Sequence, residues 1–599
     1  DCSRFDSPLK MALVLLNLGI SLSVSLLLLM VSSAPLFFKQ HPGSLIYNLE
    51  GLDFKKAAKE REYECGAITK FSAIDCDICR LFVNILQLLV KQGSTQEEVV
   101  KVSTAICKNF KIEDERVCES ITIEFKDELF GVAERLVLTP NEVCGIILGD
   151  TCGTPYDPAT MWNVTLPDVP KPPIKPPIPP KEGSPRLRVL HLTDIHLDQM
   201  YIQGSNADCG EPLCCRIDDG PPAPDQDGAG KWGDYRGCDT PYILLSNLFT
   251  HLKSIQDQFD YIVFTGDLPA HNVWNQSRED QLGVLHIVAE MFLTYLPGKI
   301  VFHALGNHES APVNSFPPPF ITGNQSETWL YSALAATWNY WLPESTFSTI
   351  LKGGFYSVRP FPGLKIISLN MNFCNNGNWW LLINTTDPAG QLEWFIDELQ
   401  ESENIGEKVH VIGHIYPGSG SCIKAYSWNY YKIMNRYEST ITGQFFGHSH
   451  ADLFEVMYDD VNFTRPTGVV YIPGSVTTYS DLNPGYRIYE IDGNYTGSTW
   501  QVLDFTNYYL NLTEANQSGN PEWKMEYNAK TAYGLNHLYP EDWNDLIYRM
   551  KDDDDLFQDF YRHNSKSAVL TPCTGDCKTG LLCDLKMGRS HDPNLCNDL

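Results

Sequence analysis

The sequence predicts an α+β protein of several domains: a small helical domain with disulfide bonds, a larger domain of alternating strands and helices, and a helical C-terminal region. Three observations predict this order. The chain has 599 residues, which is too long for one hydrophobic core. Six cysteines between Cys76 and Cys152 bracket apolar residues at helical spacing. After residue 186, five short apolar runs each end in polar residues.

Residues 11–34 form an apolar segment that begins after Lys10 and ends in Ser32-Ser33-Ala34. A basic start, an apolar centre and small residues at the end are typical of a secretory signal peptide. We therefore expect translation to start at Met11. An uncleaved anchor is the alternative, because the run approaches the ~20 residues that span a bilayer.

The cysteine content and the sequons also predict passage through the secretory pathway. The chain has 18 cysteines, and disulfides form in oxidising compartments. Asn-x-Ser/Thr sequons are acceptors for N-glycans. The sequon asparagines are Asn163, Asn275, Asn324, Asn384, Asn462, Asn494, Asn511 and Asn516. We expect a lysosomal or secreted glycoprotein.

The net charge of −29 restricts the partners. A strongly acidic protein repels nucleic acid, so no nucleic-acid partner is expected. An anionic lipid surface would be repelled at neutral pH. At acidic pH the carboxylates take up protons, and contact with such a surface becomes possible.

Residues 72–156 contain the six cysteines of the predicted helical domain, which sequence alone allows to pair in about 15 ways. Their pattern is Cys76-x2-Cys79, Cys107-x10-Cys118 and Cys144-x7-Cys152. The pattern resembles a saposin B-type domain. The resemblance implies contact with lipid and nested bridges, which join Cys76 to Cys152, Cys79 to Cys144 and Cys107 to Cys118.

The apolar stripe of this domain has two interpretations. Its members recur at spacings of three and four residues, and they are Ile78, Phe82, Ile85, Leu86 and Leu89. Such a stripe suits a lipid-binding face, but it equally suits the core of any small helical domain. Cys65 precedes the six cysteines and has no evident partner in the sequence. Residues 157–185 are rich in proline and predict an extended, semi-rigid linker.

Five motifs rich in metal-ligand residues follow the predicted strands of the larger domain. The strands are 187–192, 261–264, 300–305, 409–412 and 445–446, and the motifs are Asp194-Ile195-His196, Gly266-Asp267, Gly306-Asn307-His308-Glu309, Gly413-His414 and Gly447-His448-Ser449-His450. Polar residues that follow strands gather at one rim of a sheet. Carboxylate oxygen and imidazole nitrogen suit divalent zinc, iron or manganese, and a carboxylate can bridge two ions.

The five motifs resemble the blocks D-x-H, GD, GNH(E/D), GH and GHxH of the calcineurin-like metallophosphoesterase superfamily. The resemblance implies a four-layer α/β/β/α sandwich over residues 186–500 and a pair of Zn²⁺ ions that hold a hydroxide between them for in-line attack on phosphorus. One ion would be held by Asp194, His196, Asp267 and His450, and the other by Asp267, Asn307, His414 and His448.

Two further histidines are candidate catalytic residues. The resemblance implies that His308 is the general acid that protonates the leaving alcohol, which requires an imidazolium near the working pH. His271 lies four residues after the bridging Asp267. It is a candidate for contact with the phosphate, and a purely structural role is the alternative.

The remaining cysteines predict disulfides that brace loops. Four of them, Cys209, Cys214, Cys215 and Cys238, lie close together in an insertion. They could bind zinc, but no histidine accompanies them, so two disulfides are favoured. Cys374 and Cys422 are expected to join loops before and after the His414 motif. From residue 501 to 599 we expect helices that end in two small disulfide loops, Cys573-x3-Cys577 and Cys583-x12-Cys596.

The order of these domains resembles the acid sphingomyelinase family. The resemblance implies a zinc-dependent phosphodiesterase that hydrolyses sphingomyelin in membranes to ceramide and phosphocholine, and we expect a monomer. Two alternatives are a phosphodiesterase for nucleotides or other soluble esters and a lipid carrier without activity. The intact ligand set disfavours the carrier, because an idle site is free to lose ligands.

Overall fold

The computed structural model describes residues 73–149, 152–153, 161–175, 177–479, 481–568 and 571–599. The predicted signal peptide at 11–34 and Cys65 lie outside these ranges. The chain divides into two compact units, with the boundary after residue 154. Within the described ranges, no helix has both the length and the apolar character to cross a bilayer.

The first unit is helical. Its helices are α1 (Ala73–Lys91), α2 (Gln96–Asn109), α3 (Glu115–Glu124), α4 (Lys126–Arg135) and α5 (Pro140–Leu148). Two of them begin with a capping box, in which Thr95 pairs with Glu98 and Thr139 pairs with Glu142. Each box satisfies backbone N–H groups that a helix start leaves open, so the sequence fixes these boundaries locally.

Three disulfides hold this unit together, and they are the nested set that the resemblance implied. They join Cys76 to Cys152, Cys79 to Cys144 and Cys107 to Cys118. The stripe on α1 is divided between two roles. Ile85, Leu86 and Leu89 are buried, whereas Ile78 and Phe82 are half-buried. Part of the stripe therefore forms the core of the unit.

The second unit is a mixed α/β structure with two six-stranded sheets. In their spatial order the strands of the first sheet are β14 (Trp523–Asn528), β13 (Val502–Leu510), β12 (Gly485–Asp492), β1 (Arg186–Leu192), β4 (Tyr261–Phe264) and β5 (Val301–His303). Those of the second are β10 (Leu453–Tyr458), β11 (Pro466–Ile472), β9 (Ile441–Phe445), β8 (Lys408–Ile412), β7 (Leu364–Ser368) and β6 (Tyr356–Phe361). A short parallel pair joins β2 (Leu197–Asp198) to β3 (Thr240–Pro241).

The centre of each sheet is parallel, and this places the predicted motifs. Strands β1, β4 and β5 are parallel, with Leu192 opposite Phe264 and Phe264 opposite His303. In the second sheet β8 and β9 are parallel, with Ile412 opposite Phe445. Within each sheet these strands end in register, and each of the five motifs begins within three residues of a strand end. The predicted strand-to-loop pattern is thus confirmed.

Aromatic side chains join the inner faces of the two sheets. The rings of Phe445 and Tyr489 lie 5.0 Å apart between centroids, and those of Tyr471 and Phe505 lie 6.2 Å apart. Edge-to-face pairs of this kind contribute beyond their buried area. The joined sheets form a close-packed core that fixes the positions of the strand ends.

Helices cover the sheets. In chain order they are α6 (Tyr242–Ser254), α7 (Arg278–Tyr295), α8 (Thr328–Trp338), α9 (Phe347–Gly353), α10 (Gln391–Ile405), α11 (Lys424–Arg436), α12 (Leu512–Ser518), α13 (Ala529–Tyr533), α14 (Pro540–Asp552), α15 (Asp554–Asn564) and α16 (Asp576–Lys586). Phe292 of α7 packs on Phe264 of the first sheet. Tyr430 of α11 packs on Phe446, which follows strand β9 of the second sheet.

The C-terminal region differs from the prediction at its start. Residues 501–528 were expected to be helical, but β13 and β14 fall there and extend the first sheet through β12. The reason is a run of β-branched and aromatic residues, from Val502 through Phe505 to Leu510, that is buried at intervals in the sheet. The helices beyond residue 540 agree with the prediction, and Trp543 of α14 packs on Phe454 of β10.

The proline-rich segment is attached to the second unit along α11. The Val164 N–H donates to Asn429 Oδ1 at 2.7 Å, and Arg436 donates to the Val169 carbonyl at 3.2 Å. Lys171 pairs with Glu438 at 2.8 Å. The part of the predicted linker from 161 to 171 therefore has a fixed path on this unit.

Sixteen cysteines of the described chain form disulfides, and those of the second unit confirm the predictions. They join Cys209 to Cys214, Cys215 to Cys238, Cys374 to Cys422, Cys573 to Cys577 and Cys583 to Cys596. The four cysteines of the insertion are used in bridges, which excludes the alternative of a zinc site at them.

We predict that Asp584 makes stability depend on pH. Asp584 lies on α16, which packs on β10. Burial raises the pKa of Asp584 from 3.8 to about 7. The folded protein therefore keeps a proton that the unfolded chain releases. The contribution is complete below about pH 4 and is lost as the pH rises toward 7.

The variant Asp584→Asn should raise the melting temperature at neutral pH and change it less at about pH 4. Asp555→Asn, an exposed aspartate on α15, serves as the control. Equal effects of Asp584→Asn at both pH values in differential scanning calorimetry would contradict the prediction.

Candidate metal centre

The backbone brings the five motifs to one place at the joint of the two sheets. The Asp194 N–H donates to the Gly266 carbonyl at 2.9 Å, and the Gly447 N–H donates to the His414 carbonyl at 2.9 Å. Between the sheets, the Thr477 N–H donates to the Asp194 carbonyl at 2.9 Å. These bonds connect loops that lie up to about 280 residues apart in sequence.

Five of the predicted ligands have left-handed backbone conformations, which side-chain-bearing residues rarely adopt. Their φ angles are 51° for Asp194, 42° for His196, 61° for Asp267, 74° for His448 and 59° for His450. Such conformations cost free energy and cluster at functional sites. The surrounding sheets therefore hold these side chains in conformations that local preference opposes.

The first predicted ligand set converges on a common point. His196 Nε2 lies 3.1 Å from His450 Nε2 and 3.4 Å from Asp267 Oδ2. His450 Nε2 lies 3.6 Å from Asp194 Oδ1. All four side chains are buried.

The second set converges beside it. His414 Nε2 lies 3.0 Å from both Asp267 Oδ2 and Asn307 Oδ1. His448 Nδ1 lies 3.0 Å from Asn307 Oδ1. Asp267 Oδ2 thus belongs to both sets, as expected of the bridging carboxylate. The structure brings together all seven residues that the sequence predicted as metal ligands.

In three of the imidazole rings, the nitrogen that points away from the site contacts an oxygen atom of the protein. The other nitrogen of each ring faces the site and is available to a metal. His196 Nδ1 lies 2.8 Å from the Pro269 carbonyl, and His414 Nδ1 lies 2.6 Å from the Thr265 carbonyl. His448 Nε2 lies 3.1 Å from the Ser421 hydroxyl. A carbonyl oxygen can only accept, so Nδ1 of His196 and of His414 carries a proton and Nε2 is the nitrogen that faces the candidate metal positions. The donor set fits a pair of divalent ions.

Three of the four candidate ligand rings are neutral, and His414 is the exception. Burial disfavours its charge, but Asp267 and Asp194 outweigh burial and raise the pKa of His414 to about 9, so a metal would displace a proton from this ring on binding. Burial lowers the pKa of His196, His448 and His450, so these rings are neutral, as metal ligands must be. Burial opposes the charge on Asp267, but the cationic His414 outweighs burial and holds the pKa of Asp267 well below its usual range. The shared carboxylate is therefore ionised.

His308 lies beside the ligand sets with a free ring nitrogen. Its ring centroid is 4.8 Å from that of His196 and 4.6 Å from that of His271. His308 Nδ1 is buried and has no hydrogen-bond partner in the described chain. Burial lowers the pKa of His308 to about 4. The ring is neutral in the free protein at neutral pH.

His271 is held in a stack at the edge of the site. Its ring lies 4.0 Å from His196 and 4.1 Å from Tyr479 between centroids. Asp239 Oδ2 accepts a hydrogen bond from the backbone N–H of His271 at 2.7 Å, and Asp239 Oδ1 lies 2.9 Å from His271 Nδ1. Burial lowers the pKa of His271, but Asp239 outweighs burial and the pKa is raised. Asp239 therefore favours the protonated form of His271, whereas burial favours the neutral form of His308.

Asp239, Tyr479 and Ser421 are site residues that the sequence interpretation missed. Each lies outside the five motifs, in a loop whose position depends on tertiary contacts. The Thr477 hydroxyl donates to Asp239 at 3.0 Å and so ties this carboxylate to the loop between β11 and β12. The sequence signal for Asp239 was its place directly after Cys238, which a disulfide fixes near the site.

Two family models match the chain. The one described as calcineurin-like phosphoesterase matches residues 187–452 and contains all five motifs. The one described as acid sphingomyelin phosphodiesterase C-terminal region matches residues 460–591.

Curated relatives match over most of the chain. A sphingomyelin phosphodiesterase from Bos taurus is 46% identical over 528 residues, which cover 88% of this chain and 84% of that protein. A sphingomyelin phosphodiesterase from Homo sapiens is 46% identical and covers 88% and 83%. A cyclic GMP-AMP phosphodiesterase from Rattus norvegicus is 33% identical over 432 residues and covers 68% of this chain and 91% of that protein.

We predict that Asp239 positions and charges His271. The variant Asp239→Asn keeps the shape of the side chain but removes the charge that favours the imidazolium. The rate of bis(p-nitrophenyl) phosphate hydrolysis should fall about tenfold or more. Without the Asp239 charge, His271 is less often protonated and stabilises the charge on the phosphoryl oxygens less well. Metal content, measured by atomic mass spectrometry, should stay unchanged.

Asp234→Asn is the matched control, because Asp234 lies in the same insertion and pairs with Arg236 at 2.7 Å. If both variants lose the same activity, the insertion acts only as a structural support and the assigned role of Asp239 is wrong.

Proposed function

The chain belongs to the sphingomyelin phosphodiesterase family, and we propose that it hydrolyses sphingomyelin to ceramide and phosphocholine at a centre of two zinc ions. The observation that carries this proposal is the meeting of two ligand sets at Asp267 Oδ2, 3.4 Å from His196 Nε2 and 3.0 Å from His414 Nε2. A shared carboxylate of this kind supports a phosphoesterase centre with two ions.

Imidazole and carboxylate donors suit zinc. Asp194, His196, Asp267 and His450 would hold one ion, and Asp267, Asn307, His414 and His448 the other. When bound, two zinc ions supply an activated water as nucleophile and neutralise charge on the phosphoryl oxygens.

The remaining chemistry is assigned to two histidines of this chain. We propose that His308 protonates the ceramide oxygen as it leaves. Its Nδ1 has no partner in the described chain, and a phosphate anion beside the ring would raise its pKa from about 4. His271, kept cationic by Asp239, would contact the phosphoryl oxygens.

We further propose that the helical unit has a saposin-like fold and contacts the lipid bilayer. The nested disulfides support the fold. Ile112, Ile123 and Val137 support the contact, because they expose 40%, 55% and 85% of their surface on a unit that has its own buried core.

We place the protein in the lysosome or outside the cell, as a glycosylated monomer that works at acidic pH. The described disulfides support an oxidising route. Seven of the eight sequon asparagines are exposed, and Asn511 is half-buried, so most sequons can accept a glycan.

Hydrolysis of soluble nucleotides is the second candidate function. The match to a cyclic GMP-AMP phosphodiesterase favours it, although that match covers 68% of this chain and the matches to sphingomyelin phosphodiesterases cover 88%. Both activities use the same metal chemistry. Phosphocholine release from sphingomyelin liposomes, beside cleavage of cyclic GMP-AMP at the same protein concentration, decides between them.

The role of His308 predicts a dependence on the leaving group. His308→Ala should lower phosphocholine release from sphingomyelin by a factor of about 100 to 10,000, because the ceramide alkoxide leaves poorly without a proton. With p-nitrophenyl phosphocholine the loss should be much smaller, since p-nitrophenolate needs no proton to leave.

The matched control is His286→Ala, a histidine on the exposed face of α7 that lies 3.2 Å from Glu290. Equal losses of His308→Ala on both substrates, with the metal content preserved, would show that His308 is not the general acid.

A further inference from the structure

A short hairpin beside the metal centre presents apolar side chains to solvent. Tyr201 and Arg216 form an antiparallel bridge. The Ile217 N–H donates to the Met200 carbonyl at 3.1 Å, and the Ile202 N–H donates to the Cys215 carbonyl at 2.9 Å. We call residues 199–217 the rim hairpin.

The two faces of the rim hairpin differ. Tyr201 and Arg216 point toward the protein: the Tyr201 hydroxyl donates to the Gly230 carbonyl at 2.7 Å, and Arg216 Nε lies 3.3 Å from Asp198 Oδ1. Met200 and Ile217 lie opposite each other beside this single bridge, and Ile202 follows two residues after Met200. Met200, Ile202 and Ile217 are exposed, whereas Arg216 is buried.

Apolar side chains of this hairpin and of the start of α6 are exposed. Met200 and Ile202 each expose 44% of their surface, and Ile217 exposes 59%. Tyr242 and Ile243 at the start of α6 expose 53% and 39%. Contiguous exposed apolar residues mark interaction surfaces.

The rim hairpin and the start of α6 each follow one strand of the same two-stranded sheet. In the parallel pair of β2 and β3, Leu197 lies opposite Thr240 and Asp198 opposite Pro241. The chain after β2 continues into the rim hairpin, and the chain after β3 continues into Tyr242 and Ile243.

Disulfides fix the hairpin in this exposed position. Cys209 is joined to Cys214, and Cys215 is joined to Cys238. Cys215 and Cys238 are fully buried. The hairpin is therefore anchored to the protein while its apolar face stays outside.

The hairpin also contacts the site directly. The Tyr479 hydroxyl donates to the Pro212 carbonyl at 2.7 Å. The same Tyr479 ring stacks on His271 at 4.1 Å, and His271 stacks on the ligand His196 at 4.0 Å. The hairpin is thus attached to the rim of the metal centre through Pro212.

We propose that Met200, Ile202 and Ile217, together with Tyr242 and Ile243, dock into the bilayer that contains the substrate. This inference rests on the proposed function. The acyl chains of sphingomyelin stay in the bilayer while its phosphodiester lies at the headgroup level, so the rim of the site must face the lipid. Apolar side chains in a shallow insertion hold the metal centre at that level.

The test compares three forms of the full chain: the wild type, the triple variant Met200→Ser, Ile202→Ser and Ile217→Ser, and a matched control. The control is Leu351→Ser, Ile405→Ser and Val461→Ser, which removes three apolar side chains that expose 47%, 64% and 85% outside the hairpin. Vesicles of sphingomyelin with an anionic phospholipid serve as the probe, at acidic pH.

The hairpin variant should bind vesicles in sedimentation at least about tenfold more weakly than the wild type, because it loses apolar area that the bilayer buries. Its KM for vesicle sphingomyelin should rise in proportion, and its hydrolysis of soluble p-nitrophenyl phosphocholine should stay at the wild-type rate. The control should bind like the wild type.

Three results would overturn the proposal. The hairpin variant could bind vesicles like the wild type, or the control could lose as much binding as the hairpin variant. The wild type could also form dimers that the hairpin variant does not form in analytical ultracentrifugation, which would make a second copy the occupant. Failure of the proposed function is a separate result, because the wild type would then release no phosphocholine even from sphingomyelin in detergent micelles.

Discussion

The burial of Asp267 between two sets of histidines is the constraint on which this structure depends. Its carboxylate lies within 3.4 Å of His196 Nε2 and 3.0 Å of His414 Nε2, at the joint of two sheets. A buried charge needs opposite charge or coordination. The strand register, the left-handed backbone of the ligands and the outer hydrogen bonds of their rings all keep this carboxylate where two ions can share it.

Residues of the C-terminal region hold the loop that carries the last metal-ligand motif. Asp452 follows the ligand His450 by two residues and pairs with the buried Arg487 of β12, which ties the last motif to the first sheet. Lys566 donates to the Ser475 carbonyl at 2.9 Å, and the Ser475 N–H donates to the His450 carbonyl at 2.9 Å. Residues beyond 460 are therefore structural parts of the catalytic unit.

The convergence of the seven candidate ligands could be predicted from the sequence, because metal chemistry restricts residue types and the sheet restricts where they lie. Asp194, His196 and Asp267 follow apolar runs, and both features are local. The disulfide pairs of the helical unit came from a resemblance, since spacing alone leaves the pairing open. The proton-transfer role of His308 and the domain boundaries stay predictions.

Other features could not be read from the sequence because they depend on contacts between distant segments. Asp239 reaches His271 only through the fold of a disulfide-braced insertion. Strand β13 was expected to be helical, because its strand character depends on pairing with β12. The path of residues 161–171 along α11 depends on hydrogen bonds to Asn429 and Arg436, and the local sequence does not predict these bonds.

The most direct test of the two-ion account is a zinc titration of the full chain after chelation, with phosphocholine release from sphingomyelin and bound zinc measured together. The account predicts that activity appears as the second ion binds and that full activity requires two zinc ions per chain. It also predicts that Asp267→Asn binds less zinc and stays inactive. Full activity with one ion per chain, or with none, would contradict it.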